Sequence, residues 1–158
     1  MADELFRGTG RKFSELKQEI TASMKPVSME LHRKVAMTAS TRHYPEARSC
    51  NVIGIIPGSD PVLKDEAIIL GAHLDGVGSP GMLFPGALDN GSGVADVLGL
   101  ANALSVSEVK PGRTIIIVFF GGEECGLYGS REYVANPVWA QDKTLMMVNL
   151  DMVGQGTG

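Results

Sequence analysis

Cysteine, positive charge and long hydrophobic runs are scarce in this sequence, and each scarcity excludes a class of protein. The two cysteines, Cys50 and Cys125, are too far apart for a CxxC site and too few for a disulfide framework, so we expect two small buried thiols. The 14 Lys and Arg residues against 18 Asp and Glu give a net charge of −4, without a basic patch for nucleic acid or a membrane surface. The apolar runs have only the length of β-strands, which excludes a membrane-spanning helix.

The start of the chain shows no targeting signal either. Met1-Ala2-Asp3-Glu4 has neither the basic beginning nor the apolar stretch of a signal peptide, and the cysteine count leaves the compartment open. What the sequence does contain is ordinary for a globular protein: 158 residues, 44% of them apolar, and 20 glycines that cluster around acidic residues. We therefore expect a single domain, 1–158, with a hydrophobic core.

Residues 1–48 are expected to form a lead-in of one helix and one edge strand. The helix is predicted from hydrophobic residues at helical spacing, namely Phe13, Leu16, Ile20 and Met24. Pro26 closes this helix. The alternation from Met29 to Met37 predicts a half-exposed strand, although Arg33 interrupts its apolar side, and residues 39–49 are polar and loop-like.

Residues 49–158 alternate between strand and helix patterns. Strands are predicted at 51–56, 67–70, 114–120 and 145–150, and helices at about 94–104 and 130–135. The first two strands flank a turn-rich linker and are expected to be neighbours. The order predicts an α/β layered domain with a central mixed, largely parallel sheet flanked by helices.

Acidic side chains follow the ends of these predicted strands. Glu123 and Glu124 come after 114–120, His73 and Asp75 come after 67–70, and Asp151 comes after 145–150. A further acid, Asp89, lies in a glycine-rich loop before a predicted helix. Ligands bind outside the carboxyl ends of strands in open α/β sheets, so these side chains are expected to converge. Adjacent carboxylates on a core element are costly without a cation, and one His among carboxylates suits zinc or manganese.

Each motif alone is weak, but together they resemble a known family. The segments GAHLDG, GALDNGSGVAD, RTIIIVFFGGEECGLYGSREYV and VNLDMVG are similar to the motifs of the M28 family of zinc aminopeptidases and related exopeptidases, in the family's order and spacing. The resemblance implies two zinc ions and a peptide or aminoacyl substrate. It implies that His73 and Asp151 are ligands of the first zinc, that Asp89 bridges both, and that Glu124 is a ligand of the second.

The resemblance also implies roles for the remaining acids. Glu123 resembles the general base, which would take a proton from the attacking water and pass it to the leaving amine. Asp75 resembles the carboxylate partner of the His73 ring. The family often has a cis peptide after the bridging Asp, which here is the Asp89-Asn90 bond. The activity implied is exopeptidase cleavage at a free amino terminus, with carboxypeptidase and dipeptidase activities left open.

One family ligand has no match in this sequence. The family's other second-zinc ligand is a histidine downstream of the segment resembling VNLDMVG, whereas His32 and His43 precede the motifs and are expected to be solvated. We therefore expect the chain to be an amino-terminal part of the catalytic domain. In isolation it is expected to bind one zinc better than two and to have little or no peptidase activity. By resemblance the parent protein is compatible with secretion or a periplasmic location.

Other functions, on the same fold or on other folds, fit the sequence less well. A non-catalytic, receptor-like domain typically loses ligands, whereas every upstream ligand is intact here. A single-zinc glutaminyl-cyclase-like acyltransferase is disfavoured by His73. The Gly91-Ser92-Gly93 stretch lacks the third glycine of a dinucleotide-binding loop, and no histidine pattern accompanies Cys125 as a nucleophile.

Overall fold

The computed structural model describes residues 2–40, 42 and 44–154, and the chain divides into two compact units, Met1–Pro45 and Glu46–Gly158. The polar loop predicted at 39–49 includes residues 41 and 43, which lie outside the described residues, and so does the prediction that His43 is solvated. No helix among the described residues combines the length and apolar character needed to cross a bilayer.

The first unit contains helices α1 (Ala2–Leu5) and α2 (Phe13–Ser23). Helix α2 matches the predicted helix, and its Leu16 is buried. At its start the Glu15 carboxylate accepts the Lys12 backbone N–H at 3.1 Å, which satisfies a donor that the helix leaves unpaired. At its end Met24 adopts a left-handed conformation and donates its N–H to the Ile20 carbonyl at 2.8 Å.

The edge strand predicted between Met29 and Met37 is wrong. Residues 27–40 form neither helix nor strand, and Met37 is 90% exposed. Alternating hydrophobicity favours a strand only when another strand supplies hydrogen bonds along one edge. Among the described residues of this unit no strand offers such an edge, so the pattern has no ladder to join.

The second unit is built on a four-stranded sheet. Its strands are β1 (Val52–Ile56), β2 (Ala67–His73), β3 (Thr114–Phe120) and β4 (Thr144–Asn149), in the spatial order β1-β3-β2-β4. Strands β2, β3 and β4 run parallel, and β1 pairs antiparallel with β3. This mixed, largely parallel sheet with flanking helices confirms the predicted α/β class.

Two details of the predicted sheet are corrected. Strands β1 and β2 are not neighbours, because β3 lies between them. The connection 57–66 is too long for a tight hairpin, so β1 is free to pair with the outer edge of β3 instead. Strand β2 also continues to His73, which pairs with Phe120, so His73 is the last residue of the strand rather than part of the loop that follows.

The core forms on both faces of β3, every residue of which is buried. On one face Ile116, Val118 and Phe120 pack with Tyr133 of helix α4 (Tyr128–Ala135). On the other face, helix α3 (Gly93–Val106) packs Val97 against the sheet. Since an apolar run buried on both sides holds the centre of the sheet, the ends of its strands are held in place relative to one another.

The two thiols differ from expectation in burial. Cys50 and Cys125 are free, as expected, but both are exposed rather than buried. Cys50 precedes β1, and Cys125 lies in the turn after β3. Both therefore lie beyond the ends of the strands whose side chains form the core.

Candidate metal centre

The predicted site residues come together at the carboxyl edge of the sheet. His73 ends β2, Glu123 and Glu124 follow β3, Asp151 follows β4, and Asp89 lies in the irregular turn Ala87–Ser92 before α3. Because β2, β3 and β4 are parallel, their carboxyl ends share one edge. Two groups of three side chains each offer donor atoms within 4.8 Å of one another: His73, Asp89, Asp151 and His73, Glu123, Glu124.

The His73 ring lies at the centre of both groups and is 3% exposed. Its Nδ1 lies 3.1 Å from the backbone oxygen of Asp75, a hydrogen bond that places the proton on Nδ1. Its Nε2 lies 3.1 Å from Asp89 Oδ1 and 3.6 Å from Asp151 Oδ1. Nε2 therefore lies close to oxygens of two carboxylates.

The electrostatics around His73 favour a positive charge. Burial by itself lowers the pKa of His73, but the Asp75 carbonyl and then the carboxylates of Asp151, Glu123 and Asp89 outweigh it, and the net pKa is raised. The surplus of negative charge around this buried ring would also stabilise a bound metal ion.

The Asp75 carboxylate has a different main contact from the one predicted. It lies 3.8 Å from His73 Nδ1, farther than the backbone oxygen of the same residue. Its two oxygens instead accept the backbone N–H groups of Glu123 at 2.9 Å and Glu124 at 3.1 Å. Asp75 thus orients the His73 ring through its backbone and holds the Glu123-Glu124 turn through its side chain.

The turn that carries the two glutamates has a special backbone. Gly122 has a φ of 69° and Leu127 a φ of 61°, both in the left-handed region. The Glu123 carbonyl accepts the N–H groups of Gly126 and Leu127, each at 2.9 Å. These bonds close the turn tightly after β3, so both carboxylates stay at the edge of the sheet.

Glu124 is the least satisfied acid of the cluster. Its Oε1 is buried and has no hydrogen-bond partner among the described residues. Burial raises the pKa of Glu124, and the nearby charges of Asp89 and Glu123 raise it further. A buried carboxylate oxygen without a donor, beside other carboxylates, is the environment in which a cation is needed.

The donor set fits zinc. Ligand atoms bound to tetrahedral zinc at about 2.0–2.1 Å lie about 3.3 Å from one another. The separations of His73 Nε2 from the oxygens of Asp89 and Asp151, 3.1 and 3.6 Å, bracket that value. One imidazole and two carboxylates also leave the fourth position open, as in catalytic zinc sites. The Asp89-Asn90 peptide is cis, as the family resemblance predicts.

Two asparagines that the sequence patterns do not predict as part of the site contact the segments that carry its acids. The Asn51 side chain donates to the Gly129 carbonyl at 2.8 Å and accepts the Gly121 N–H at 3.1 Å, thereby joining the two ends of the Glu123-Glu124 turn. Asn90 is 2% exposed and contacts the segment around Asp151. The Asp-Asn-Gly sequence predicts a turn for Asn90 but not its partners, and nothing in the pattern singles out Asn51.

His32 does not contribute to either group of donor atoms. Its side chain is 83% exposed and lies 3.5 Å from the Glu30 carboxylate, as expected for a solvated residue.

Comparison with known proteins identifies consistent similarities. The sequence model of peptidase family M28 matches residues 51–158. A vacuolar membrane protease of Meyerozyma guilliermondii is 40% identical over 127 residues, which are 79% of this chain and 12% of that protein. Leucine aminopeptidase 1 of Trichophyton rubrum is 35% identical over 130 residues, which are 78% of this chain and 33% of that protein.

A solved structure agrees with these similarities. A zinc aminopeptidase from Bacillus subtilis superposes with a TM-score of 0.54 and 36% identity, over 66% of this chain and 24% of that one. The chain therefore spans about a third or less of the length of the proteins that it matches here.

Proposed function

Since the chain belongs to peptidase family M28, we propose that it carries most of the zinc site of an aminopeptidase that cleaves the amino-terminal peptide bond of its substrate. The observation that carries the proposal is the convergence of His73, Asp89 and Asp151 with Glu123 and Glu124 at one edge of the sheet. It is supported by relatives named aminopeptidases and by the zinc aminopeptidase from Bacillus subtilis.

In this proposal His73, Asp89 and Asp151 hold the first zinc. The fixed Nδ1 proton of His73 leaves Nε2 as the ligand atom, and the two carboxylates supply one oxygen each. Three protein ligands hold the ion and leave a position for water or substrate.

A second zinc would be held by Asp89 and Glu124. The unpartnered Oε1 of Glu124 supports this role. Two carboxylates alone form a weak site, however, and His73 is the only histidine in the groups that the described residues form. We therefore propose that the complete protein binds two zinc ions and that this chain binds one more tightly than the other.

Glu123 would move the proton. Its backbone N–H is held by the Asp75 carboxylate, and its side chain is grouped with His73 and Glu124. Zinc, when bound, would polarise the scissile carbonyl and lower the pKa of the attacking water. The Glu123 carboxylate would accept that water's proton and deliver it to the leaving amine.

Metal content tests the site. After dialysis against a zinc buffer, elemental analysis of the purified chain is expected to find about one zinc per chain. His73→Ala is expected to abolish this binding, while His32→Ala, which changes an exposed histidine, is expected to retain it. Equal zinc content in the wild type and His73→Ala would contradict the proposed site.

A turnover assay tests the proposal that this chain alone has little or no peptidase activity. Since the described residues supply two protein ligands for the second zinc, the purified chain is expected to release little or no chromophore from an aminoacyl p-nitroanilide. Robust turnover, removed by His73→Ala and kept by His32→Ala, would show that the chain suffices for catalysis and would overturn the proposed inactivity.

A chimera tests the role of Glu123. Residues 51–158 replace the matching segment of the Bacillus subtilis zinc aminopeptidase, and turnover of the chimera is compared with that of its Glu123→Gln variant. Loss of a general base is expected to lower kcat about 100-fold or more without changing zinc content. Glu108→Gln, at an exposed position, is the matched control. A Glu123→Gln chimera as active as its parent would exclude Glu123 as the base.

A further inference from the structure

Asn90 links the segments that carry Asp89 and Asp151, the two carboxylates of the proposed first-zinc site. We propose that Asn90 is a positioning residue that sets the separation of Asp89 and Asp151 for metal binding. This inference rests on the proposed zinc site but concerns a side chain that is not among the grouped donor residues.

The amide of Asn90 is almost fully engaged. The residue is 2% exposed. Its Nδ2 donates to the Leu150 carbonyl at 2.9 Å, and its Oδ1 accepts the N–H of Gly93 at 3.1 Å and the N–H of Met152 at 3.3 Å. A buried amide with three hydrogen bonds holds its partners firmly, because releasing any of them leaves a polar group unpaired.

The partners of Asn90 lie on both sides of Asp151. Leu150 precedes Asp151 and Met152 follows it, so the amide holds the backbone of Asp151 from each side. Asn90 is itself bonded to Asp89, whose Oδ1 lies 3.1 Å from His73 Nε2. A single side chain thus connects two proposed ligands that are far apart in sequence.

The third partner of the Asn90 side chain is Gly93, the first residue of α3. A Cβ at Gly93 would lie 2.3 Å from the Leu150 carbonyl oxygen and 2.5 Å from Asn90 Oδ1, so only glycine permits this approach. Helix α3, the Asp89 turn and the segment after β4 therefore meet at one buried amide.

Only an amide provides this set of bonds. A side chain of the size of Asn must both donate to a carbonyl and accept two N–H groups, which Asp, Ala and Leu cannot do. Aspartate keeps the acceptor but presents a carboxylate oxygen to the Leu150 carbonyl. Alanine removes all three bonds.

The test measures zinc affinity by competition with a chromogenic chelator. Asn90→Ala is expected to weaken zinc binding about 10–100-fold, the usual effect of losing a residue that orients metal ligands. Asn90→Asp keeps the two accepted bonds but turns a carboxylate oxygen toward the Leu150 carbonyl, so it is also expected to weaken zinc binding. Ile116→Val, which trims a fully buried residue in the middle of β3, controls for lost stability and is expected to bind zinc as the wild type does.

The visible spectrum of the cobalt-loaded protein reports the geometry of coordination, which a loss of stability alone does not change. The visible spectrum of the cobalt-loaded protein is expected to change for Asn90→Ala, because displaced carboxylates alter the coordination, and to be unchanged for Ile116→Val. Zinc affinity within twofold of the wild type and an unchanged cobalt spectrum would overturn the inference, and so would equal losses in Asn90→Ala and Ile116→Val.

Hydrogen exchange separates this inference from the proposed function. In the metal-free wild type, the amides of Gly93 and Met152 are expected to exchange more slowly than those of an unstructured chain, since both donate to Asn90. A wild type with protected amides that binds no zinc refutes the proposed function and its positioning role together. Zinc binding with an unprotected Met152 amide refutes the positioning role of Asn90 alone. If Asn90→Ala does not fold, Asn90→Asp and the exchange data decide.

Discussion

Glu124 has unfavourable surroundings for a carboxylate in the metal-free protein. Its buried Oε1 lacks a partner among the described residues, and burial together with Asp89 and Glu123 raises the pKa of its carboxyl group. Such an arrangement is expected to destabilise the metal-free protein and to become more favourable when a cation is bound. Unfavourable burial and charge repulsion of this kind are common at sites selected for function rather than stability.

Glu124→Gln is expected to raise the melting temperature of the metal-free protein. The substitution removes a negative charge that burial and two neighbouring carboxylates disfavour. Thermal unfolding in excess chelator measures the effect, with the exposed Glu108→Gln as a control expected to leave the melting temperature unchanged. A lower melting temperature for Glu124→Gln would mean that the carboxylate has a stabilising partner in the absence of metal.

Tyr133→Phe is expected to be neutral or to stabilise the protein by up to about 1 kcal/mol, because no bond is lost and a buried hydroxyl is removed. The Tyr133 hydroxyl is buried without a partner among the described residues, while its ring meets Phe120 edge-on with centroids 6.0 Å apart. Urea unfolding of the variant, with the exposed Tyr128→Phe as control, gives the free energies to compare. A clear loss of stability in Tyr133→Phe alone would reveal a partner for the hydroxyl.

Helix α3 joins the core to the site. Val97 of α3 is fully buried against the sheet, and its first residue, Gly93, lies within the contacts around Asn90. The helix therefore fixes the turn that presents Asp89 relative to strand β2. A helix that serves both packing and ligand placement responds very differently to substitution along its length.

Two glycines of α3 should respond in opposite directions to the same change. Gly93→Ala is expected to destabilise the protein and weaken zinc binding, because its Cβ would lie 2.3 Å from the Leu150 carbonyl oxygen. Gly99→Ala meets no atom within 4 Å and is expected to stabilise by about 0.4–1 kcal/mol through its better helix propensity. Denaturant unfolding and zinc titration of both variants check this, and similar effects in the two would contradict the close approach at Gly93.

At the scale of the whole molecule, every proposed metal ligand belongs to the unit Glu46–Gly158. The unit Met1–Pro45 supplies α1 and α2 but none of the donor atoms grouped among the described residues. Its residues 27–40 are without helix or strand and are mostly exposed. Zinc binding should therefore be a property of the second unit.

Limited trypsin digestion of the intact chain is expected to cut first at Arg33, Lys34 and Arg48, which are exposed and lie outside the helices and strands. The surviving fragment should contain the four-stranded sheet and bind zinc with the affinity of the intact chain. Mass spectrometry identifies the cuts, and chelator competition measures the affinity. Early cleavage between β2 and β4, or loss of zinc binding with the first unit, would contradict this division.

Local pattern predicted the elements that bury their own side chains. Strand β3 matches its prediction at 114–120 because seven consecutive apolar residues flanked by turn signals need burial on both faces. Helix α2 also matches, since its spacing and its end at Ser23, shortly before Pro26, are local features. The strand predicted from Met29 to Met37 was wrong because a strand also needs a neighbour, which a local pattern does not reveal.

The sequence by itself determined the α/β class and the acids that follow the strands, because periodicity and chain order carry that information. The tertiary structure alone decided that β3 separates β1 from β2, that the Asp75 carboxylate holds the Glu123-Glu124 turn, and that Asn90 bonds to Leu150. The Asn90–Leu150 contact, for example, joins residues 60 positions apart. The formation of these contacts depends on how the sheet brings distant segments together, and no local propensity encodes it.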